Sequence, residues 1–174
     1  LAPRDGAYWI ADLGTGSGCL LLAVLRERPR AWGIGLDIVA AAARQARDNA
    51  RLLGLSDRAK FVAGDWCQGL AGRFDLIIAN PPYIASADIA GLAPEVRCHD
   101  PGVALDGGGD GLAAYRALVP DLPRLLRPDG QAVLECGRGQ TPPLRKIIEA
   151  SDMRVVKCHR DLGGVERCLV VSAK

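Results

Sequence analysis

The sequence predicts an α/β protein with a mostly parallel seven-stranded sheet, helices on both faces and a C-terminal antiparallel hairpin. Three observations predict it. Short apolar runs alternate with helical patterns along the chain. Most connections between these runs are long enough for the crossover helices that parallel strands require. The last two runs are separated only by the short turn 161–164, which favours an antiparallel pair.

Seven apolar runs have the length and composition of buried strands. They cover residues 8–13, 32–37, 60–63, 74–79, 131–136, 153–159 and 165–171. Helical patterns fill four of the connections, at residues 19–27, 39–53, 111–126 and 144–150. The first helix is apolar nearly all round, so we expect it to be buried. It must end before Pro29, Gly54 suits the end of the second, and Pro120 and Pro123 predict a break in the third.

The connection after the fourth strand, residues 80–110, has four prolines, several glycines and no sustained period. An irregular stretch of this length in a compact domain is usually functional, so we expect it to lie over a ligand groove. Its Gly107-Gly108-Gly109 lacks the following Lys-Ser/Thr pair of a phosphate-binding P-loop. The 174 residues, 49% hydrophobic, suffice for one domain with a sizeable core.

Composition excludes several classes of function. The chain has 22 Lys and Arg against 20 Asp and Glu, a net charge of +2, which is too small for a protein that coats nucleic acid. No stretch of 18 apolar residues could span a membrane. The six cysteines form no C-x-x-C pair, so we expect reduced thiols and no metal site. We therefore expect a cytoplasmic protein without membrane or direct nucleic-acid partners.

A glycine-rich segment follows the first strand. Its candidate ligand-binding residues are Asp12, Gly14, Thr15, Gly16, Ser17 and Gly18. Alternating glycines allow a sharp turn and close approach to a ligand, at a helix N-terminus that favours negative groups. A dinucleotide fingerprint would need glycine where Cys19 stands, so the spacing favours a nucleoside that carries an amino-acid carboxylate. The alternative is a glycine turn without a ligand.

Two more acidic residues follow predicted strands. Asp37 ends the second strand, where a carboxylate can accept both ribose hydroxyls; it can also cap the next helix, and the two roles are compatible. Asp65 follows the third strand and could accept an adenine amino hydrogen, with Trp66 against the ring. The alternative for Trp66 is packing on a helix at the rim.

The tetrapeptide Asn80-Pro81-Pro82-Tyr83, directly after the fourth strand, is the most specific signal. Asn80 offers an amide oxygen, Pro81 or its neighbour a rigid carbonyl in a backbone that both prolines restrict, and Tyr83 a flat π-face. Two acceptors and a stacked ring suit a planar NH₂ group. The alternative is a simple proline turn.

In order and approximate spacing, these motifs resemble those of the Rossmann-like class I methyltransferases that use S-adenosylmethionine to methylate amino groups. Further residues resemble the peptide chain release factor glutamine methyltransferases of the HemK/PrmC type. They are Ile84, residues 95–97, Asp100-Pro101, residues 104–108, 110–112, Tyr115-Arg116, residues 135–137, Gln140 and residues 161–167. Asp100 departs from the glutamate usual in the family, and Cys136 from a branched aliphatic residue, so Cys136 is interpreted as packing only.

The resemblance implies that S-adenosylmethionine is the methyl donor and S-adenosylhomocysteine the product. It also implies that the acceptor is the glutamine of the release factor's Gly-Gly-Gln motif. Asn80, Pro81, Pro82 and Tyr83 would be catalytic, and the glycine-rich segment with Asp37, Asp65, Trp66 and Asn80 would bind the donor. Residues 1–174 would form the catalytic domain, without the helical N-terminal domain of the family. Arg97 and Arg116 are interpreted as solvated surface residues, with the steering of an acidic partner as the alternative, and His99 as a structural or surface residue.

Two alternatives remain open from the residues alone. Adenine and guanine also present NH₂ on a conjugated carbon, so the tetrapeptide also suits a methyltransferase of RNA or DNA. A non-catalytic module that only binds S-adenosylmethionine is the second alternative, although such a module would not need the tetrapeptide.

Overall fold

The computed structural model describes residues 5–95 and 101–174. The strands of its sheet are β1 Trp9–Leu13, β2 Trp32–Asp37, β3 Ala59–Ala63, β4 Phe74–Ala79, β5 Leu126–Glu135, β6 Met153–Arg160 and β7 Glu166–Ala173. The helices are α1 Cys19–Glu27, α2 Ala40–Leu52, α3 Gly102–Leu105, α4 Ala113–Leu118, α5 Leu122–Leu125 and α6 Thr141–Ala150, with 3₁₀ turns at Ser86–Gly91 and Val119–Asp121. In the described part of the chain, no helix is long and apolar enough to cross a membrane.

The sheet has the strand order β3-β2-β1-β4-β5-β7-β6. The first five strands in this order pair in parallel, and β7 is antiparallel to both β5 and β6. The predicted mostly parallel seven-stranded sheet with a C-terminal hairpin is confirmed. The chain winds from β1 out to β3 and then returns to β4 beside β1, which creates a crevice at the carboxyl ends of these strands.

Two hydrophobic clusters cover the two faces of the sheet. Ile10 belongs to a cluster with residues of α1 and α2, whereas its neighbour Ala11 belongs to one with residues of α4, α5 and α6. Adjacent strand residues point to opposite faces, so helices lie on both sides of the sheet as predicted. The expectation that α1 is buried all round is wrong: Leu21, Leu22 and Leu25 are buried, but Leu20 is 45% exposed, because α1 has only one face toward the sheet.

The predicted helix 111–126 is interrupted, as the prolines indicated. α4 ends at Leu118, a 3₁₀ turn with Pro120 follows, and α5 contains Pro123, because neither proline has an amide hydrogen for a continuous helix. The predicted helix end at residue 126 is wrong, since Leu126 already begins β5. The register between β4 and β5 shifts after the Phe74–Leu126 pair, and residues 128–130, whose Pro-Asp-Gly sequence is typical of a turn, lie inside this bulge.

In its described residues, 80–95 and 101–110, the long connection after β4 is more ordered than its sequence suggests. It contains a 3₁₀ turn at Ser86–Gly91 and the one-turn helix α3, and a bridge between Ile84 and Asp106 joins its two ends. Arg97, Cys98, His99 and Asp100 lie outside the described residues.

Candidate functional site

A cavity of about 690 Å³ lies at the carboxyl ends of β1, β2, β3 and β4. Some predicted site residues line it, namely Gly14, Gly16, Ser17, Asp37, Asp65, Trp66, Asn80 and Pro82. The parallel strands therefore bring together motifs that are up to about 65 residues apart in the chain. The other predicted site residues, Asp12, Thr15, Gly18, Pro81 and Tyr83, lie outside the lining.

The glycine-rich loop is held by backbone bonds to the second strand. The amides of Gly14 and Thr15 both donate to the carbonyl of Leu36, at 2.9 and 2.8 Å. Gly18 has a φ of +80°, and a Cβ there would lie only 3.0 Å from the side chains of Ala46 and Phe61. Glycine is thus required at this position both by backbone conformation and by space.

Asp12 stabilises this loop from the protein interior. Its side chain is buried, and the hydroxyl of Thr15 donates to Oδ2 at 2.6 Å. Burial raises the pKa of Asp12 to about 6, against the lowering effect of the Thr15 hydrogen bond, and the charge of Asp37 raises it further. Asp12 and Thr15 therefore form an internal contact that fixes the loop, while the loop backbone faces the cavity.

Asp37 joins the loop to the start of α2. Its Oδ2 accepts the amide hydrogen of Gly16 and its Oδ1 that of Val39, both at 2.8 Å. The carboxylate also lines the cavity. Each carboxylate oxygen has two acceptor sites, so these bonds leave capacity for hydroxyl groups in the cavity.

Trp66 forms part of one wall. It has a φ of +43° and packs partly against the core, and a Cβ on Gly14 would lie 3.3 Å from its ring. The guanidinium of Arg124 donates to the carbonyls of Cys67 and Leu70, at 3.2 and 3.1 Å, and so fixes the turn that follows. The preceding Asp65 lines the cavity.

The tetrapeptide presents its members differently. Asn80 is exposed and Pro82 is half-buried, both in the cavity lining, whereas Pro81 is buried. The hydroxyl of Tyr83 donates to Oε1 of Glu135 at 3.4 Å. Burial, together with the neighbouring Glu135 charge, raises the pKa of Tyr83, so its hydroxyl remains protonated and able to donate.

Sequence reasoning missed much of the lining. The missed residues are Ile38, Val39, Ala42, Gln45, Gly64, Pro101, Val103, Ala104, Asp106, Ala113 and Ala114. One signal was available, because Ile38 is a large apolar residue directly after Asp37 and is 62% exposed beside the cavity. Pro101, Val103, Ala104 and Asp106 come from the irregular connection, Ala113 and Ala114 come from α4, and only folding brings them over the strand ends.

Asp106 connects this cavity to a second one of about 460 Å³, lined also by Ile89 and Gly108. The hydroxyl of Ser86 and the amide of Gly108 donate to its Oδ1, at 2.7 and 2.8 Å. These bonds hold the pKa of Asp106 below its usual range, so it is ionised at neutral pH.

The charged side chains of the two cavities are all acidic as far as the structure describes them. Asp37, Asp65 and Asp106 are carboxylates, and none of the described lining residues is Lys, Arg or His. Neutral or cationic ligands are therefore favoured over phosphates. Within residues 5–95 and 101–174, no group of three His, Cys, Asp or Glu side chains could hold a metal ion.

Comparison with known proteins places the chain among methyltransferases. The model of the methyltransferase small domain matches residues 3–109. The chain is 53% identical to the release factor glutamine methyltransferase of Rhodospirillum rubrum, over 92% of this chain and 50% of that protein. It is 48% identical to that of Bradyrhizobium diazoefficiens, over 92% of this chain and 54% of that protein. It thus spans about half the length of these curated relatives.

Solved structures support the fold alone. A ribosomal protein L11 methylase from Lactobacillus delbrueckii subsp. bulgaricus superposes with a TM-score of 0.73 at 22% identity. The match covers 97% of this chain and 71% of that one.

Proposed function

Because the chain belongs to the methyltransferase small domain family, we propose that it methylates the glutamine of the Gly-Gly-Gln motif of peptide chain release factors. The methyl group would come from S-adenosylmethionine and go to the side-chain amide nitrogen. The similarity to release factor glutamine methyltransferases supports this acceptor. The observation that carries the proposal is Asn80 at the cavity wall, in an Asn-Pro-Pro-Tyr sequence that suits a planar NH₂ group. Residues 1–174 would act as the catalytic domain, in the cytoplasm.

The residues present fit S-adenosylmethionine. A cavity of about 690 Å³ falls within the size range of small-molecule sites, which extends from about 300 to 1,000 Å³. The lining includes the apolar residues Ile38, Val39 and Trp66, which suit an adenine ring. The adjoining loop at the N-terminus of α1, where Ser17 lines the cavity, suits a carboxylate, because the positive end of the helix dipole favours negative charge.

The predicted donor-binding residues divide into those that line the cavity, which include Asn80 beside the methyl group, and those that lie outside it. Asp37 would accept the ribose hydroxyls, and Asp65 the adenine amino hydrogens beside Trp66. Gly14, Gly16 and Ser17 would face the amino-acid end of the donor. Asp12, Thr15 and Gly18 would act indirectly, since they hold the loop in shape from outside the cavity lining.

The proposed chemistry is orientation of a weak nucleophile. When bound, S-adenosylmethionine supplies an electrophilic sulfonium methyl group. An amide nitrogen is a poor nucleophile because its lone pair is delocalised into the carbonyl. The Asn80 side chain and the carbonyl of Pro81 or of the neighbouring Pro82, which lines the cavity, would accept the two NH₂ hydrogens, and the ring of Tyr83 would hold the amide plane. These acceptors would also stabilise the positive charge that develops on the nitrogen as the N–CH₃ bond forms and the S–CH₃ bond breaks, and the nitrogen would then lose one proton to water.

Electrostatics favour a protein acceptor over RNA or DNA. The described lining carries Asp37, Asp65 and Asp106 without a compensating cation, and a phosphate backbone would be repelled there. A glutamine side chain is neutral and would enter without this cost.

The decisive experiment offers methyl-labelled S-adenosylmethionine to a release factor, to bulk RNA and to DNA, with the Asn80→Ala variant as control. We expect label in the release factor, lost when its motif glutamine is changed to alanine. Label in RNA or DNA alone would replace the protein acceptor. Donor binding without transfer to any of the three would support the non-catalytic alternative.

A further inference from the structure

We propose that Gln140 is a positioning residue for methyl transfer, which sets the geometry of the Asn80–Tyr83 tetrapeptide through the carbonyl of Tyr83. The inference rests on the proposed function and adds a residue outside the cavity lining to its machinery. Gln140 is at the start of α6 and lies 57 positions from Tyr83 in the chain.

The Gln140 amide makes three hydrogen bonds to three separate segments. Its Nε2 donates to the carbonyl of Tyr83 at 2.8 Å and to that of Gly111 at 3.2 Å. Its Oε1 accepts the amide hydrogen of Gly137 at 2.9 Å. One neutral side chain thereby joins the exit of β4, the approach to α4 and the exit of β5.

The surrounding glycines leave this amide little freedom. A Cβ on Gly111 would lie 2.4 Å from both Nε2 of Gln140 and the carbonyl oxygen of Tyr83. A Cβ on Gly137 would lie 2.9 Å from Oε1 of Gln140 and 3.1 Å from the ring of Tyr83. A side chain at either glycine would displace the Gln140 amide, so both glycines are needed for its hydrogen-bonded position.

The tetrapeptide depends on contacts at its ends. Pro81 and Pro82 have no amide hydrogen, so the middle of the segment cannot be held by donors of its own. Before it, Ala79 is paired in the sheet. At its last residue, Gln140 donates to the carbonyl of Tyr83, and the hydroxyl of Tyr83 donates to Glu135. Loss of the Gln140 donor would therefore let the Tyr83 end move, and with it the acceptors for the substrate NH₂.

The test variant is Gln140→Glu. At pH 8 the carboxylate keeps the length of the side chain and can accept from the Gly137 amide, but it has no hydrogen for the Tyr83 carbonyl. We expect kcat toward the release factor to fall by about 10- to 100-fold, the range that a misplacement of about 1 Å produces. The donor Kd should stay within about twofold, because Gln140 does not line the cavity.

A pH profile separates positioning from general structural support. Lowering the pH to about 5.5 protonates part of the new carboxyl group, which can then donate, so the ratio of variant to wild-type kcat should rise. Gln131→Glu, the same change at a residue within β5 and outside the cavity lining, is the matched control and should leave kcat unchanged. A kcat within twofold of wild type for Gln140→Glu at pH 8, or a ratio independent of pH in a folded variant, would overturn the inference.

An NMR measurement that needs no methyl-accepting substrate keeps the test of Gln140 distinct from the test of the proposed function. The ¹³C resonance of the Tyr83 carbonyl should shift in Gln140→Glu at pH 8 and return toward the wild-type position at low pH. If wild type methylates no release factor, the proposed function fails, and an unchanged Tyr83 resonance would overturn the positioning role as well. If Gln140→Glu does not fold, the uncharged Gln140→Met variant replaces it, with the same expected losses.

Discussion

Asn80 reaches the cavity with an exposed side chain, and its replacement is the most direct residue-scale test. In Asn80→Ala we expect methyl transfer to fall by about 10²–10³-fold, the effect of losing one preorganised polar group at a reacting centre. The donor Kd should stay within about twofold, since most of the donor site is built by other residues. Radiolabel transfer and calorimetry measure the two quantities.

Gln131→Ala, an amide deletion in β5 outside the cavity lining, is the matched control for Asn80→Ala. Turnover near the wild-type value in a folded Asn80→Ala variant would remove Asn80 from the proposed chemistry.

The buried carboxyl of Asp12 predicts a pH dependence of stability. Its pKa is raised by burial from 3.8 to about 6. Between about pH 4 and 6 the folded state therefore keeps a proton that the unfolded state releases, so this group's contribution to stability falls as pH rises through that window. The loss at neutral pH amounts to about 3 kcal/mol, from about 1.4 kcal/mol per pKa unit.

Asp12→Asn removes this titration and keeps an acceptor for the Thr15 hydroxyl. The free energy of unfolding of the variant minus that of wild type should increase from pH 4 to pH 7, measured by denaturant titration. Asp48→Asn, on an exposed carboxylate of α2, should give a difference of at most a few tenths of a kcal/mol. Parallel pH curves for wild type and Asp12→Asn would contradict the raised pKa.

At the residue scale, the sequence identified which side chains have the chemistry for the site but not how each is used. Gly14, Asp37 and Asn80 line the cavity as expected. Asp12 does not, because its position in β1 directs it into the core, where Thr15 covers it. The burial of a side chain such as Asp12 depends on the elements that pack around it, and the spacing of residues in the sequence does not show which elements these are.

At the element scale, the approach to α4 depends on a glycine. Gly111 has a φ of +73°, and a Cβ there would lie 2.4 Å from the Tyr83 carbonyl oxygen. Gly111→Ala should lower the free energy of unfolding by at least about 2 kcal/mol, because backbone strain and steric conflict both act. Gly109→Ala, in the same loop with no atom within 4 Å of the added Cβ, should change it by less than about 0.5 kcal/mol.

Chemical denaturation of the two glycine variants provides the comparison. Equal stabilities would show that the backbone around residue 111 adapts, contrary to the close packing of this segment.

Elements themselves were predictable where the signal is local. Pro120 and Pro123 predicted the break between α4 and α5, because a missing amide hydrogen acts wherever the residue stands. The start of β5 at Leu126 was not predictable, because residues 127–130 look like a turn and are accommodated only by the bulge against β4. The arrangement of residues 80–95 and 101–110 likewise depends on the bridge from Ile84 to Asp106.

At the scale of the whole molecule, donor binding should stabilise the fold. A ligand at 100 times its Kd adds about 2.7 kcal/mol to the free energy of unfolding. For a domain of this size, that corresponds to a rise in Tm of about 5–10 °C. S-adenosylmethionine should therefore raise the Tm of wild type, as measured by differential scanning calorimetry.

Asp37→Ala should reduce this rise strongly relative to its own ligand-free Tm, since the variant loses the carboxylate and its bonds to Gly16 and Val39. Asp48 is a surface carboxylate in α2, the helix that follows Asp37, and it pairs with Arg51. The Asp48→Ala variant should therefore keep the full rise in Tm. An undiminished rise in Asp37→Ala would exclude Asp37 from the donor site.

The sequence by itself determined the order and type of most elements and the motifs at the strand ends. These follow from apolar periodicity and from the backbone chemistry of glycine and proline, which act over a few residues. Only the tertiary structure decided which motif residues reach the cavity, that Asp106 joins them, and that Gln140 holds Tyr83 across 57 positions. Such contacts arise from the packing of distant segments at one edge of the sheet, and no local pattern in the chain encodes their geometry.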